Sequence, residues 1–594
     1  MEVLLQNYGK LIRRLNLDAD VTVMSASSNP SKSRDDPTLR RHMQGIWPGA
    51  ILAAGFHIFA LIRIWQTEYG PFGLGVCLLT WILLNCLFLL MTRRAALAAA
   101  LSLGTIEFLI LVSQFKFNIT WMTATFLDVM LIDSNSLAFL MSVTPGLRLV
   151  SALIALGCVG LAILLWTIDR TRIPRAAVAI VAAGCLAAIG VLSNRIAEEP
   201  HEPFQGVNHV SNFVRSMVVS LSELSDGGWF ELDRAVASRL KPLPADDECK
   251  PAVRPPHIIM VLDESSFDIR SAPGVTVPED YGRHFVSLDG KARSLLTEAA
   301  GGPTWYTEYN VLTGLSTRSF GRMSFHVTRL AAGRVRRGLP EALRRCGYKT
   351  FTLYPAYGAF LSARRFQKSA GIDRMIDARE MGAGDVEPDS FYYDRALRLI
   401  GKQRGEAPLF LFVYTVANHF PWNTRYRPDL TPDWTRLNAN DETDEYVRRQ
   451  TLSARDYRDF LARLKSDYPE ESFLIVRFGD HPPAIAPRLV APDLSDAQIA
   501  QGIMDRDPRF FTAYYAVDAV NFTPADLSIA RDRLDAPYLP LVVQEAAGLP
   551  LDSTFAEQKK ILQRCDGLFY RCKDGAEARR FNRLLVDSGV IKGF

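Results

Sequence analysis

Basic residues gather into no long tract in this sequence, and 68 Lys and Arg against 64 Asp and Glu leave a net charge of only +4. A nucleic-acid-binding surface is therefore excluded. Paired Cys-x-x-Cys motifs are also missing, which removes the usual zinc knuckle. No internal repeat stands out, so solenoid and propeller folds are set aside. The first forty residues are polar and hold no short apolar core followed by a small-residue cleavage site, so no cleavable signal is expected.

What is present divides into two unlike halves. With 594 residues the chain is too long for one ordinary core, and its apolar residues crowd the part before about residue 195. Apolar runs near 48–66, 73–92, 96–114, 149–168 and 176–194 each approach the roughly 20 residues that cross a bilayer. A further run, 120–142, carries Asp128, Asp133, Ser134 and Asn135, and is expected to lie in the interface or re-enter. Lys32, Arg34, Arg40 and Arg41 precede the first span, Arg93 and Arg94 follow the second, and Arg170, Arg172 and Arg175 follow the fourth. All three groups fall on one side, which by the positive-inside rule is cytoplasmic and puts the residues after about 195 outside. Within the spans, Arg63 is placed to snorkel, whereas Glu107 sits near mid-run and invites a substrate or proton role.

The expected organisation is a cytoplasmic tail at 1–46, a membrane domain at 47–195, a juxtamembrane helical linker at 196–255 and an extracytoplasmic catalytic domain at 256–594. Residues 203–240 suit a helix on or near the membrane surface, and the proline-rich stretch from Lys241 to Pro256 suits a linker. Cys77, Cys86, Cys158 and Cys185 lie in apolar segments, where cysteine acts as a small hydrophobe. The remaining Cys249, Cys346, Cys565 and Cys572 are an even number, which permits disulfides in an oxidising compartment.

In the second half, strand-like runs at 257–262, 349–353, 408–416, 473–478 and 510–517 alternate with helical stretches at 336–346, 391–403 and 452–465. That rhythm predicts an α/β fold with a largely parallel sheet, whose functional residues gather beyond the carboxyl ends of the strands. Glu264, His419, Asp480 and His481 all fall at such ends. Thr304 follows Gly301-Gly302-Pro303 and opens a segment to Leu315 that reads as a helix, so its hydroxyl faces free backbone N–H groups suited to phosphate. The same position is that of an ordinary capping threonine, and Thr307 and Glu308 are its nearest competitors. Asp480 and His481 offer adjacent oxygen and nitrogen donors, which favours Mn²⁺ or Zn²⁺ over Ca²⁺ or Mg²⁺. Arg364 and Arg365 are candidates to clamp a phosphate oxygen, with Trp422, Arg318, Arg322 and Tyr357 as further pocket residues.

At these residues the chain resembles the lipoteichoic acid synthase and phosphoglycerol transferase branch of the alkaline phosphatase superfamily. The motifs are the strand ending in Glu264, Gly302-Pro-Thr304-Trp-Tyr-Thr307-Glu308-Tyr309-Asn-Val311-Leu312-Thr313-Gly314, Asn418-His419-Phe420-Pro421 and Gly479-Asp480-His481. The resemblance covers nearly the whole chain. It implies five membrane helices followed by an alkaline-phosphatase-like domain on the outer face of a bacterial inner membrane. It also implies one divalent ion, Mn²⁺ first with Zn²⁺ or Mg²⁺ as alternatives, held by Glu264, Thr304, Asp480 and His481. Thr304 would be the phosphorylated nucleophile and His419 would contact substrate. The family's head-group arginine falls at Ala363, next to Arg364, which leaves the head group open. No Cys/Ser-x-Pro-x-Arg motif is present, so sulfate-ester hydrolysis is not expected.

The expected activity is transfer of a phospho-head group, phosphoglycerol from phosphatidylglycerol, through phospho-Thr304 to a periplasmic glycan or glycolipid. Phosphoethanolamine transfer, or lipid binding without catalysis, are the alternatives.

Overall fold

The computed structural model describes residues 37–120, 122–130, 146–195, 205–226, 230–233, 249, 251, 254–384, 386–405 and 407–592. In its first half the helices are α1 (Pro37–Thr67), α2 (Gly70–Thr92), α3 (Ala95–Thr120), the short α4 (Phe126–Met130), α5 (Leu147–Ile168), α6 (Arg175–Arg195) and α7 (His209–Asp226). Five stretches are long and apolar enough to cross a membrane: Pro48–Thr67, Gly70–Thr92, Ala95–Asn118, Leu147–Ile168 and Arg175–Arg195. These are the five runs expected from the sequence. Of the sixth run, residues 131–145 lie outside the described residues, and α4 is all the helix described within it.

Local chemistry fixes the helix ends. Arg93 adopts a left-handed φ of 60° and stops α2, its N–H returning to the Leu89 carbonyl. The Asp169 carboxylate, beyond the end of α5, accepts from the Ala96 and Leu97 N–H groups at 2.7 and 3.3 Å and so caps α3. The Arg94 guanidinium donates to the Asp169 carbonyl and lies 4.3 Å from the Trp166 ring, so the basic loops after α2 and α5 share one end of the bundle. Lys32 and Arg34 lie outside the described residues.

Arg63 and Glu107 meet across the bundle: Arg63 Nε and Nη2 donate to Glu107 at 2.7 and 3.2 Å, joining α1 to α3. A lone charge at a helix centre in a membrane costs about 3 kcal/mol, and this pairing offsets much of it. The juxtamembrane helix α7 packs against the bundle. Val210 and Val214 are buried in the cluster of Ile64, Val76, Trp81, Ile106 and Ile189 from α1, α2, α3 and α6. Glu68 caps α7, accepting from the Val210 N–H at 2.8 Å.

The second half is built on one eight-stranded sheet, with β1 His257–Asp263, β2 Arg293–Leu296, β3 Lys349–Leu353, β4 Arg374–Ile376, β5 Leu409–Thr415, β6 Phe473–Gly479, β7 Thr512–Val520 and β8 Arg533–Asp535. Their order is β4-β3-β5-β1-β6-β7-β2-β8. Only the β6/β7 and β7/β2 pairs are antiparallel, so the sheet is mixed and mostly parallel. The helices used below are α8 (Thr304–Thr313), α9 (Ala363–Ser369), α10 (Asp389–Gln403) and α11 (Asp441–Asp467).

The central strands β1, β5 and β6 are buried at every position, as continuous apolar runs require when both faces are covered. Alternate residues serve opposite faces. Ile258, Met260, Leu262, Phe412 and Val476 enter one core, while Ile259, Val261, Val413 and Ile475 meet Tyr393 and Ile400 of α10 and Phe460 of α11 in the other. Each such side chain contributes about 1.5–3 kcal/mol of burial, which holds the strand ends in fixed register. Cys249 is bonded to Cys346 and Cys565 to Cys572, whereas Cys77, Cys86, Cys158 and Cys185 are free thiols.

The two halves touch at the end of α3 away from Arg94. Lys116 pairs with Asp128 of α4 at 2.7 Å and lies 5.5 Å from the Phe325 ring, and Leu127 of α4 is buried in the core of the α/β half.

Candidate active site

Register places the first two acids side by side. β1 and β6 run parallel with Asp263 opposite Gly479, so Glu264 and Asp480 leave the sheet together at one edge. Gly479 is required there, since a Cβ would stand 1.8 Å from the Ser266 carbonyl oxygen. Thr304 begins α8 directly after Pro303, as expected, and its hydroxyl donates to Glu264 Oε2 at 3.1 Å.

Ligand atoms of Glu264, Asp480 and His481 lie within 4.8 Å of one another, and all three residues are buried. Ser265, at a left-handed φ of 52°, holds both acids: its N–H donates to Asp480 Oδ1 at 2.7 Å and its hydroxyl to Glu264 Oε1 at 2.8 Å. His481 Nδ1 is 3.0 Å from the Pro482 carbonyl, the contact that orients an N–H there and leaves the Nε2 lone pair facing the acids. His481 Nε2 then stands 3.1 Å from Asp480 Oδ2 and 3.7 Å from Glu264 Oε1. Neither His481 Nε2 nor Asp480 Oδ2 has a hydrogen-bond partner among the described residues.

Buried orphan acceptors facing one another are unfavourable unless a cation sits between them. The acid–base balance agrees. Burial and the neighbouring Glu264 push Asp480 up to about 7. Burial acts to lower the His481 pKa, yet the Asp480 and Glu264 carboxylates outweigh it and hold the imidazole above its usual value. One nitrogen and several carboxylate oxygens fit a divalent metal, with the Thr304 hydroxyl beside them.

The sequence-derived candidates separate here. Glu264, Thr304, Asp480 and His481 come together. His419 lies half-buried beyond β5, the neighbour of β1 on its other side, with Nδ1 2.7 Å from the Phe420 carbonyl oxygen. Its loop is tied to the cluster by Asn418, which donates to the Ser265 carbonyl at 3.5 Å and to Gln450 at 3.0 Å. Trp422 is placed in the core, 4% exposed, with its indole N–H donating to the Asn418 carbonyl. Arg364 is engaged by Asp377 and Glu380 at 2.7 and 3.0 Å, and Arg365 is exposed on α9. Thr307 donates to the Asp480 carbonyl at 2.5 Å and so fixes the strand end. Glu308 points away, accepting from Gln367 at 2.7 Å.

Sequence reasoning passed over Ser265 and a second layer beneath Glu264. Asp263 accepts from His284 Nε2 and from the Tyr514 hydroxyl at 2.8 and 2.7 Å, and Arg477 donates to the His284 carbonyl at 2.7 Å. Burial would raise the Asp263 pKa, but His284 and Tyr514 hold it below the ordinary value. One signal for this layer was legible, an arginine inside the otherwise apolar strand Phe473–Gly479.

Residues 283–511 match the sulfatase family, a stretch that includes Thr304, His419, Asp480 and His481. No curated protein matches the chain. Among solved structures, the phosphoglycerol transferase GacH of Streptococcus pyogenes in complex with sn-glycerol-1-phosphate is similar at 16% identity and a TM-score of 0.45, over 58% of this chain and 89% of that one. The lipoteichoic acid synthase LtaP of Listeria monocytogenes is similar at 17% identity and 0.38, over 52% and 76%. The lipooligosaccharide phosphoethanolamine transferase A of Neisseria meningitidis is similar at 10% identity and 0.41, over 77% and 88%.

Proposed function

We propose that this chain, which carries a sulfatase domain, is a metal-dependent phosphotransferase that moves the phosphoglycerol head group of a membrane lipid through a phospho-Thr304 intermediate to a glycan or glycolipid hydroxyl. The observation that carries the reading is the Thr304 hydroxyl bonded to Glu264 beside the orphaned Asp480 Oδ2 and His481 Nε2. A nucleophile embedded in a ready cation site is the arrangement that phosphoryl transfer requires.

Glu264, Asp480 and His481, with the Thr304 oxygen, are the residues that would hold the ion. Mn²⁺ suits this donor set, and when bound it supplies Lewis acidity to the threonine and phosphate oxygens. Thr304 attacks phosphorus, a Thr–O–P bond forms and the diacylglycerol oxygen leaves with a proton. The free N–H groups at the start of α8 face the phosphoryl oxygens and favour their charge. In the second step an acceptor hydroxyl displaces Thr304, and His419, two strands from Asp480 on the same sheet edge, is assigned the proton transfer.

The five apolar helices support a multi-pass membrane protein. The basic loops at Arg93, Arg94 and Arg170 to Arg175 stand at the bundle end opposite the α/β half, which supports a cytoplasmic placement for those loops and an extracytoplasmic one for the site. A lipid donor confined to the bilayer then meets a nucleophile tethered above it.

The test is intact-mass spectrometry of the full chain in detergent with Mn²⁺ and phosphatidylglycerol, beside Thr304→Ala. A phosphoglycerol adduct mapped to Thr304 and missing in the variant is expected. An adduct formed only with phosphatidylethanolamine moves the donor to that lipid, and no adduct with either lipid in metal-loaded protein overturns the phospholipid mechanism.

A further inference from the structure

A second cluster of charge lies on the same sheet edge as Thr304. The carboxyl ends of β2 and β8 point the same way as that of β6, because β7 is antiparallel to both β6 and β2 and because β2 and β8 are parallel. There a cavity opens between Arg318, Arg506 and Arg571, with Glu298 and Asp535 in its wall. The cavity has about 20 Å³ of room, enough for one water, and opens to solvent.

Three guanidinium groups around one cavity repel each other; Glu298 and Asp535 attract Arg506 and Arg571 from the wall, but their hydrogen bonds go to other groups. Glu298 accepts from Asn310 at 2.8 Å and from the Thr317 N–H and hydroxyl at 2.7 and 2.6 Å. Asp535 accepts from the Phe569 N–H at 2.7 Å. Arg506 donates to a neutral carbonyl, that of Glu298, and Arg318 rests 4.1 Å from the Tyr570 ring. Among the described residues no carboxylate lies within ion-pair distance of any of the three arginines. A phosphate oxygen there would accept from several forks at once.

We propose that Arg318, Arg506 and Arg571 form a second anion site for the phosphate of a phosphomonoester or phosphodiester, two to three strand steps or about 10–15 Å along the sheet edge from the catalytic cluster. That spacing is of the order of one or two sugar or glycerol phosphate units, so the site positions a phosphate-bearing acceptor, or a second anionic lipid, while Thr304 reacts. The acceptor role rests on the transfer reading above, whereas the anion binding does not.

The experiment is calorimetric titration of the full chain carrying Thr304→Ala, which blocks covalent capture, with three probes: glycerol phosphate, nanodiscs of phosphatidylcholine, and nanodiscs with added phosphatidylglycerol. Adding Arg318→Gln or Arg571→Gln is expected to weaken phosphate binding about tenfold or more, while Asp480→Asn and metal removal leave it in place. Melting temperatures of the arginine variants without probe are expected to stay level or rise, since an unpaired repulsive charge has gone. Tighter binding to phosphatidylglycerol discs assigns the phosphate to lipid, and tighter binding to glycerol phosphate assigns it to a soluble or glycan-borne ester. Unchanged affinity in both arginine variants, binding that vanishes with Asp480→Asn, or arginine variants that melt lower without probe would each overturn the site. Binding that persists where no Thr304 adduct forms would retain this site and reject the transfer mechanism alone.

Discussion

Glu308 shows how one buried side chain can report on the whole domain. It is 1% exposed, its partner Gln367 is neutral, and burial pushes its pKa from 4.5 up to about 7. A carboxyl raised in this way favours the folded state in its protonated form. Its contribution is fully present below the unfolded value of 4.5 and is lost as pH rises through about 7. The shift corresponds to roughly 3 kcal/mol across that window. Glu308→Gln, neutral throughout, is expected to flatten the fall in melting temperature between about pH 4.5 and 7, and a slope matching wild type would remove Glu308 as its source. Ser265 is the residue that braces both acids, so Ser265→Ala is expected to lower metal affinity by about 10- to 100-fold in a metal titration, with the backbone bond to Asp480 intact.

At the level of elements, the loops matter more than the strands. Gly301 sits at a φ of 68°, and its N–H donates to the Pro482 carbonyl, which ties the entrance of α8 to the Asp480–His481 turn. A Cβ there would meet the Ala484 Cα at 2.8 Å. Gly301→Ala is therefore expected to cost about 1–3 kcal/mol and to move Thr304 away from Glu264, read as lower thermal stability together with slower Thr304 phosphorylation. Central strands were legible because β1, β5 and β6 are apolar runs, broken only by Arg477 in β6, with carboxylate or Asn-His endings. The short strands β2, β4 and β8 at and near the edges were not, since three or four residues carry no periodicity and their pairing is set by distant partners. The same limit hid His284, whose bond to Asp263 depends on a loop packing against β7 rather than on any local pattern. It also hid the arginine cavity, assembled from segments far apart in sequence. Trp422 read as a pocket residue because it follows His419, whereas the chain turns it into the cluster with Tyr446.

Across the whole molecule, the joint between halves is small and specific. Burial would raise the Asp128 pKa, but Lys116 outweighs it and holds the carboxylate well below its ordinary range. Asp128→Asn is expected to loosen the seat of the α/β half on the bundle. Turnover of a phospholipid in bilayers should fall several-fold, while turnover of a water-soluble phosphodiester stays near wild type. Equal loss on both substrates would mean that the change reaches Thr304 itself. Cysteine chemistry differs between the halves. The four thiols before residue 195 are free, while the bonds from Cys249 to Cys346 and from Cys565 to Cys572 both belong to the α/β half. The first of these closes a ring of chain spanning 97 positions that contains β1, Glu264 and Thr304. Such a ring narrows the unfolded ensemble by about 4–5 kcal/mol in the chain-entropy view, a gain withheld in a reducing compartment. Closure is thereby conditional on surroundings: an oxidising compartment locks the segment that carries Glu264 and Thr304, and reductants release it.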